Sequence, residues 1–164
     1  GRACRGDRWR VGRRARWAGG DAGRGWCAAG ALHVMEHVDA PRALMARARG
    51  WLAPGGALVV VVPNRHSLHR RLAVRMGIQA ELDDLSPRDH LVGHRRVYGL
   101  DTLGEDLRAA GFAVREEFGL TLKTVPNSMM LDWPPDLMDA LTTISPDLPA
   151  GLLANIGVRA VAVP

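Results

Sequence analysis

From residue 32 onward, the apolar positions switch between a strand period and a helical one. Ala57 to Val62 is an unbroken apolar run rich in valine, which suits a strand covered on both faces, as in a parallel sheet. Upstream of it, Leu44, Ala48, Trp51 and Leu52 share one helical face, Pro41 occupies a first-turn position where a missing N–H costs nothing, and Asp39 is placed to cap. Ala53-Pro54-Gly55-Gly56 stops that helix. The segment before His33 reads as a further strand, so the stretch from His33 to Asn64 completes a βαβ unit. Ser67 is placed to cap a helix to about Arg75, with Leu68 and Leu72 inward and Gly77 ending it. Thr102 and Glu105 have capping-box spacing for a helix carrying Leu103, Leu107 and Ala110, closed by Gly111. Phe112, Val114 and Phe118 alternate, Pro134 and Pro135 open a helix with Leu137, Met138 and Leu141, and Ile156 to Val163 reads as a last strand. The pattern predicts an α/β fold with strands near 27–34, 57–63, 112–119 and 156–163, the last one antiparallel to its neighbours.

In open parallel sheets ligands sit at the carboxyl ends of strands, and two polar clusters fall at such ends: His33/Glu36/His37 and Asn64/His66. His33-Val-Met-Glu36-His37 matches H-x-x-E-H, a zinc-protease signature that needs both histidines on one continuous helix. A strand before it and a new helix at Asp39-Ala-Pro41 argue against that helix. The polar, Pro-interrupted stretch from residue 80 to residue 97 is a third candidate surface, ending in His94-Arg95-Arg96-Val97-Tyr98.

The run VMEHVDAPRALMARARGWLAPGGALVVVVPN resembles the second half of a class I S-adenosylmethionine-dependent methyltransferase, in the branch that includes the ubiquinone-biosynthesis O-methyltransferases. An EHV-like turn, an L-x-P-G-G turn and an apolar strand closing in Pro-Asn occur in that order and spacing. GHRRVYGLDTLGEDLRAAGF and NIGVRAVAV resemble the last helix with its following strand, and the closing strand, of the same family. The resemblance spans roughly residues 32–164. It implies a partial doubly wound, Rossmann-like methyltransferase sheet lacking the first strands, with S-adenosylmethionine as cofactor and a small molecule as substrate. On that basis Leu32 and His33 are expected beside the cofactor, His37 and His94 are candidates for the base that accepts the substrate's proton, and Asn64, His66, Arg95 and Tyr98 are expected at the substrate. Related enzymes carry E-x-x-E-H in the turn and can hold a divalent cation there. Here His33 replaces the first Glu, which disfavours Mg²⁺, while Glu36 and His37, with His94, remain metal candidates against the alternative that they hydrogen-bond around the turn.

Composition changes the picture at one end of the chain. Of the 164 residues, the first 31 carry eight Arg and two Asp, and the whole net charge of +5 resides there, the remainder being close to neutral. This head is built from Arg, Gly, Ala, Trp, Cys, Asp and Val alone, without helical or strand period, and is expected to pack poorly. Three readings stay open: an Arg-Gly segment with interleaved Trp for nucleic acid, a flexible tail, or a GC-rich reading frame that is not evolved protein. The domain boundaries expected are thus 1–31 and 32–164. The Gly-rich turn and the acidic residue that hold the cofactor in this family are not recognisable, since Gly19, Gly20, Gly23 and Gly25 follow no apolar strand. Two functions therefore compete: methyl transfer to oxygen or nitrogen of a small molecule, and a non-catalytic binding domain or pseudo-enzyme with an Arg-Gly nucleic-acid-binding tail. No apolar run reaches membrane-spanning length and no signal peptide is visible, so the default expectation is a cytoplasmic protein without a membrane partner. Nucleic acid is the less favoured partner, and the first strand, left as a sheet edge, is expected to favour self-association.

Overall fold

A computed structural model describes residues 25–163. Four strands, β1 (Trp26–Leu32), β2 (Leu52–Pro63), β3 (Phe112–Leu120) and β4 (Asn155–Ala162), form one open sheet in the order β1-β2-β4-β3. β1 runs parallel to β2, and β4 lies antiparallel between β2 and β3. The carboxyl ends of β1, β2 and β3 therefore share one edge of the sheet. This is the mixed α/β architecture the pattern predicted. β1 already begins at Trp26, and the head ahead of residue 25, with all three readings of it, lies outside the described residues.

Helices α1 (Pro41–Trp51), α2 (Leu68–Arg75), α3 (Pro87–Leu91), α4 (Leu100–Ala109) and α5 (Pro135–Ile144) fill the connections. Between α1, α4 and the sheet lies a core of Met35, Met45, Val60, Leu103, Leu107, Phe112 and Ile156, each 2 % exposed or less. Burying side chains of this size contributes about 1.5–3 kcal/mol each. The loop before α4 is tied to the end of β2, where Arg65 N donates to Tyr98 O at 2.8 Å and Asn64 bridges to Tyr98 in parallel.

Local details differ from expectation in instructive ways. The residue capping α1 is Ala40, without a side-chain bond, and Asp39 pairs with Arg95 instead. Ala53–Gly56 does not stand outside the strand: Trp26 pairs with Leu52 and Ala28 with Ala57, so the turn is absorbed as a bulge within β2. At α4 the first turn starts two residues earlier than Thr102, and the Thr102 hydroxyl, now in the third helical position, accepts from Gly99 N at 3.0 Å. Gly111 follows α4 at φ +84° and Gly77 follows α2 at φ +69°, both left-handed positions that glycine takes without strain. The residues α2 buries are Arg70 and Ala73, with Leu68 and Leu72 only half-buried.

Candidate functional site

Three loops meet at the carboxyl edge: residues 33–40 after β1, 64–67 after β2, and the segment running from α3 to Tyr98. His33 turns the chain at φ +55°, its N–H donating to Val61 O at 2.9 Å. That reversal drops Glu36 into the interior, where it is fully buried. One carboxylate oxygen meets His33 Nδ1 at 2.9 Å, and the other, Oε2, has no hydrogen-bond partner. An orphaned buried acceptor of this kind costs about 1–3 kcal/mol, more if charged. The bond to Glu36 raises the His33 pKa against the opposing effect of burial.

His37 and His94 come together although 57 residues separate them in the chain. Their rings stand 4.7 Å apart at 69°. His37 Nδ1 lies 3.2 Å from Gly93 O, and His94 Nδ1 lies 2.8 Å from Asp89 Oδ1. Both acceptors lack a proton of their own to give, so each ring donates from Nδ1 and keeps the Nε2 lone pair free. Arg95 N donates to Glu36 O at 2.8 Å, stitching the two loops together. One ligand-type atom from each of Glu36, His37 and His94 falls within 4.8 Å of the others.

Asp89 holds this arrangement. Ser86 caps α3, its hydroxyl accepting from Asp89 N and donating to Asp89 Oδ2, while Arg70 Nη2 donates to the same oxygen at 2.8 Å. Burial pushes the Asp89 carboxyl up, but the Ser86 bonds, the Arg70 charge and His94 outweigh it and leave it below the usual carboxylate range. Arg70 itself is 6 % exposed and also donates to the carbonyls of Asp84 and Leu82. The Ser86-Pro-Arg-Asp89 spacing is a capping box visible in the sequence; that it orients a histidine is not.

The other expected site residues divide. His66 stays at the edge, its Nε2 accepting from Arg65 Nε at 3.0 Å, and Arg95 is exposed in its pair with Asp39. Asn64 and Tyr98, expected at the substrate, have their polar groups engaged within the chain. Asn64 is 1 % exposed and donates to Gly151 O and Leu153 O while accepting from His66 N. Tyr98 is 3 % exposed, donates to Asp106 at 3.1 Å, and has its hydroxyl pKa pushed well up by burial and by Asp106. Arg96 turns inward to the carbonyls of Met35 and Val38.

An open α/β sheet with its polar groups gathered at one strand edge fits many chemistries, and sequence comparison narrows them. A family profile described as a methyltransferase domain matches residues 19–117, more than half of the chain. The chain belongs to the methyltransferase-domain family. The match reaches further toward the amino end than the motifs recognisable by eye. Among solved structures, an S-adenosylmethionine-dependent methyltransferase from Mesorhizobium loti is similar at a TM-score of 0.51 and 14 % identity, covering 82 % of this chain and 61 % of that one. A methyltransferase from Archaeoglobus fulgidus is similar at a TM-score of 0.46 and 17 % identity, covering 84 % of this chain and 60 % of that one. The methyltransferase chain described here thus spans about three-fifths of the length of these structures. A search of curated proteins finds no match. No helix among the described residues is long and apolar enough to cross a membrane.

In a methyltransferase the donor's ribose hydroxyls call for a free carboxylate. Of the two acidic residues in the turn after β1, Glu36 is enclosed with His33 and Asp39 is paired with Arg95. Neither therefore presents a free, accessible carboxylate in this turn.

Proposed function

We propose that this chain carries the acceptor side of an S-adenosylmethionine-dependent methyltransferase that methylates an oxygen or nitrogen of a small molecule. The observation that carries the reading is the His37–His94 pair, oriented by Gly93 O and Asp89, at the carboxyl edge of a methyltransferase-domain sheet. When bound, S-adenosylmethionine supplies an electrophilic methyl group on a sulfonium. The chain's own part is to hold the acceptor in line and remove its proton. His94 is the better placed base, because the Asp89 carboxylate fixes its tautomer and stabilises the imidazolium formed when Nε2 takes the proton. His37 is the second. His66 and Arg95 remain at the edge to contact the acceptor. The Glu36-His37-Val38 turn favours placing the chain near the ubiquinone-biosynthesis branch.

A second reading has its own observation. Glu36, with an unpartnered oxygen, and two histidines whose Nδ1 atoms donate to a carbonyl and a carboxylate form the ligand-plus-supporting-acceptor arrangement that divalent cations use. With two nitrogens and one oxygen, the set suits Zn²⁺ better than Mg²⁺.

The test is radiolabelled methyl transfer from saturating S-adenosylmethionine to a panel of phenols, hydroxy acids and amines. Protein-dependent transfer, lost in the His37→Gln/His94→Gln double variant, is the expected result. Transfer by the double variant at the parental rate would remove the proposal. Loss on chelation, with recovery on adding Zn²⁺, would transfer the role to the metal.

A further inference from the structure

The stretch from residue 74 to residue 97 contains no buried residue, yet it carries α3, the Ser86–Asp89 cap and His94. Helix α3 is five residues long and buries nothing. Glycines in the left-handed region stand on either side of the strap formed by residues 78–92, Gly77 at φ +69° and Gly93 at φ +79°. Apolar burial, which holds α1 and α4 to the sheet, contributes least in this strap, so polar bonds must seat it.

Arg70 makes the inner bonds. It projects from α2, is 6 % exposed, and donates from Nη1 to Asp84 O at 2.8 Å and to Leu82 O at 3.4 Å, and from Nη2 to Asp89 Oδ2 at 2.8 Å. One guanidinium thus reaches three points of the strap, a task for which a planar fork is suited and a point charge is not. The other Asp89 oxygen, Oδ1, meets His94 Nδ1 at 2.8 Å, so Arg70 and His94 take opposite oxygens of one carboxylate. Every hydrogen-bond acceptor of the Arg70 side chain lies in the strap. Lifting the strap would leave a buried cation without its partners, and that penalty biases the strap toward its seated position.

We infer that Arg70 is a positioning residue, which seats the strap against α2 and through Asp89 fixes the His94 ring at the sheet edge. The inference deepens the proposed function and rests on the reading of His94 as the base. Unfastened at Arg70, the strap pivots on Gly77 and Gly93 and carries Asp89 away from His94, whose ring then loses the acceptor that sets its tautomer and orientation.

The test reads the His94 hydrogen bond directly, on the 164-residue chain without cofactor or acceptor. An imidazole N–H bonded to a carboxylate resonates far downfield in the proton NMR spectrum, and the His94 signal is identified by its loss in His94→Gln. Arg70→Met is expected to remove or broaden that signal and to speed amide hydrogen exchange in residues 78–92 by about tenfold or more, while the amides of β2 and β4 keep the parental rate. Arg70→Lys, which offers Asp89 a charge but no fork, is expected to restore the signal, with strap exchange between those of the parent and Arg70→Met. An unchanged signal in Arg70→Met would overturn the inference. So would exchange accelerated equally in the strap and in β2 and β4, which would make Arg70 a residue of global stability alone. If Arg70→Met does not fold, Arg70→Lys decides, and strap exchange at the parental rate in that variant ends the inference. In the radiolabel assay, Arg70→Met should lower kcat by about tenfold or more and leave the KM for S-adenosylmethionine unchanged, whereas a parental kcat would count against positioning. A parent that transfers no methyl group would remove the proposed function, and the resonance and exchange results would still decide the role of Arg70.

Discussion

His37 and His94 differ in what stands behind them, and that difference sets how their substitutions should behave. Gly93 O fixes the His37 ring without charge, whereas Asp89 puts a carboxylate behind His94. His94→Gln, which keeps a hydrogen bond but cannot take a proton, should lower turnover about a hundredfold or more, the range expected for a positioned general base. Asp89→Asn should lower it in the same direction and shift the acidic limb of the pH–rate profile, which a purely structural Asp89 would not do. Nearly full turnover in His94→Gln would transfer the assignment to His37. Two further histidines set opposing pH dependences of stability. His69 stays neutral in the fold down to about pH 3, while in the unfolded chain it protonates near pH 6.5. Between those values the unfolded state binds more protons, so stability falls as the pH falls through that window. His33 is the reverse: Glu36 raises its folded pKa, so its contribution is complete below about pH 6.5 and is lost as the pH rises through the folded value. Urea midpoints measured from pH 7 to pH 4 should therefore decline less steeply in His69→Gln and more steeply in His33→Gln than in the parent.

Strand β1 pairs with β2 on one side and, among the described residues, with nothing on the other. An open edge of this kind is a template for another strand, and Cys27 and Gly30 are its exposed positions. We expect the chain to self-associate through it. A Cβ added at Gly30 meets nothing within 4 Å, so Gly30→Lys places a charge on the edge strand without disturbing the core. Light scattering should show the parent associating with concentration and Gly30→Lys shifted toward monomer, at an unchanged melting temperature. A parent that stays monomeric at high concentration would show that β1 is already covered.

The chain spans 61 % of the length of the Mesorhizobium loti methyltransferase. The Gly-rich turn and the acidic residue expected to hold the cofactor are not recognisable in the sequence, so we expect the chain to bind S-adenosylmethionine only weakly. Calorimetry should find affinity well short of micromolar. Micromolar binding would mean that the residues ahead of Gly25 supply a cofactor site that their composition does not disclose.

The element plan was legible because local patterns carry it. The apolar run that ends in Val60, Val61 and Val62 marks a buried strand, Leu103 and Leu107 mark a helical face, and Gly111 marks its end. The Glu36-His37 turn was legible through its motif. Boundaries were less so: Leu52 joins β2 because Trp26 lies opposite it, a long-range pairing that no local signal encodes. Asn64 and Tyr98 look like site residues in the sequence, yet the carbonyls of Gly151 and Leu153 and the carboxylate of Asp106 use their polar groups, and those partners are brought in by the fold. Conversely, Asp89 and Arg70 read as ordinary surface charges until the loops close. Residue type and spacing thus determined the strands, the helices other than α3, and the family. Which polar groups are spent on the scaffold, and which are left unpaired at the sheet edge, followed from contacts between residues far apart in the chain, because burial and hydrogen-bond satisfaction are properties of the assembled molecule.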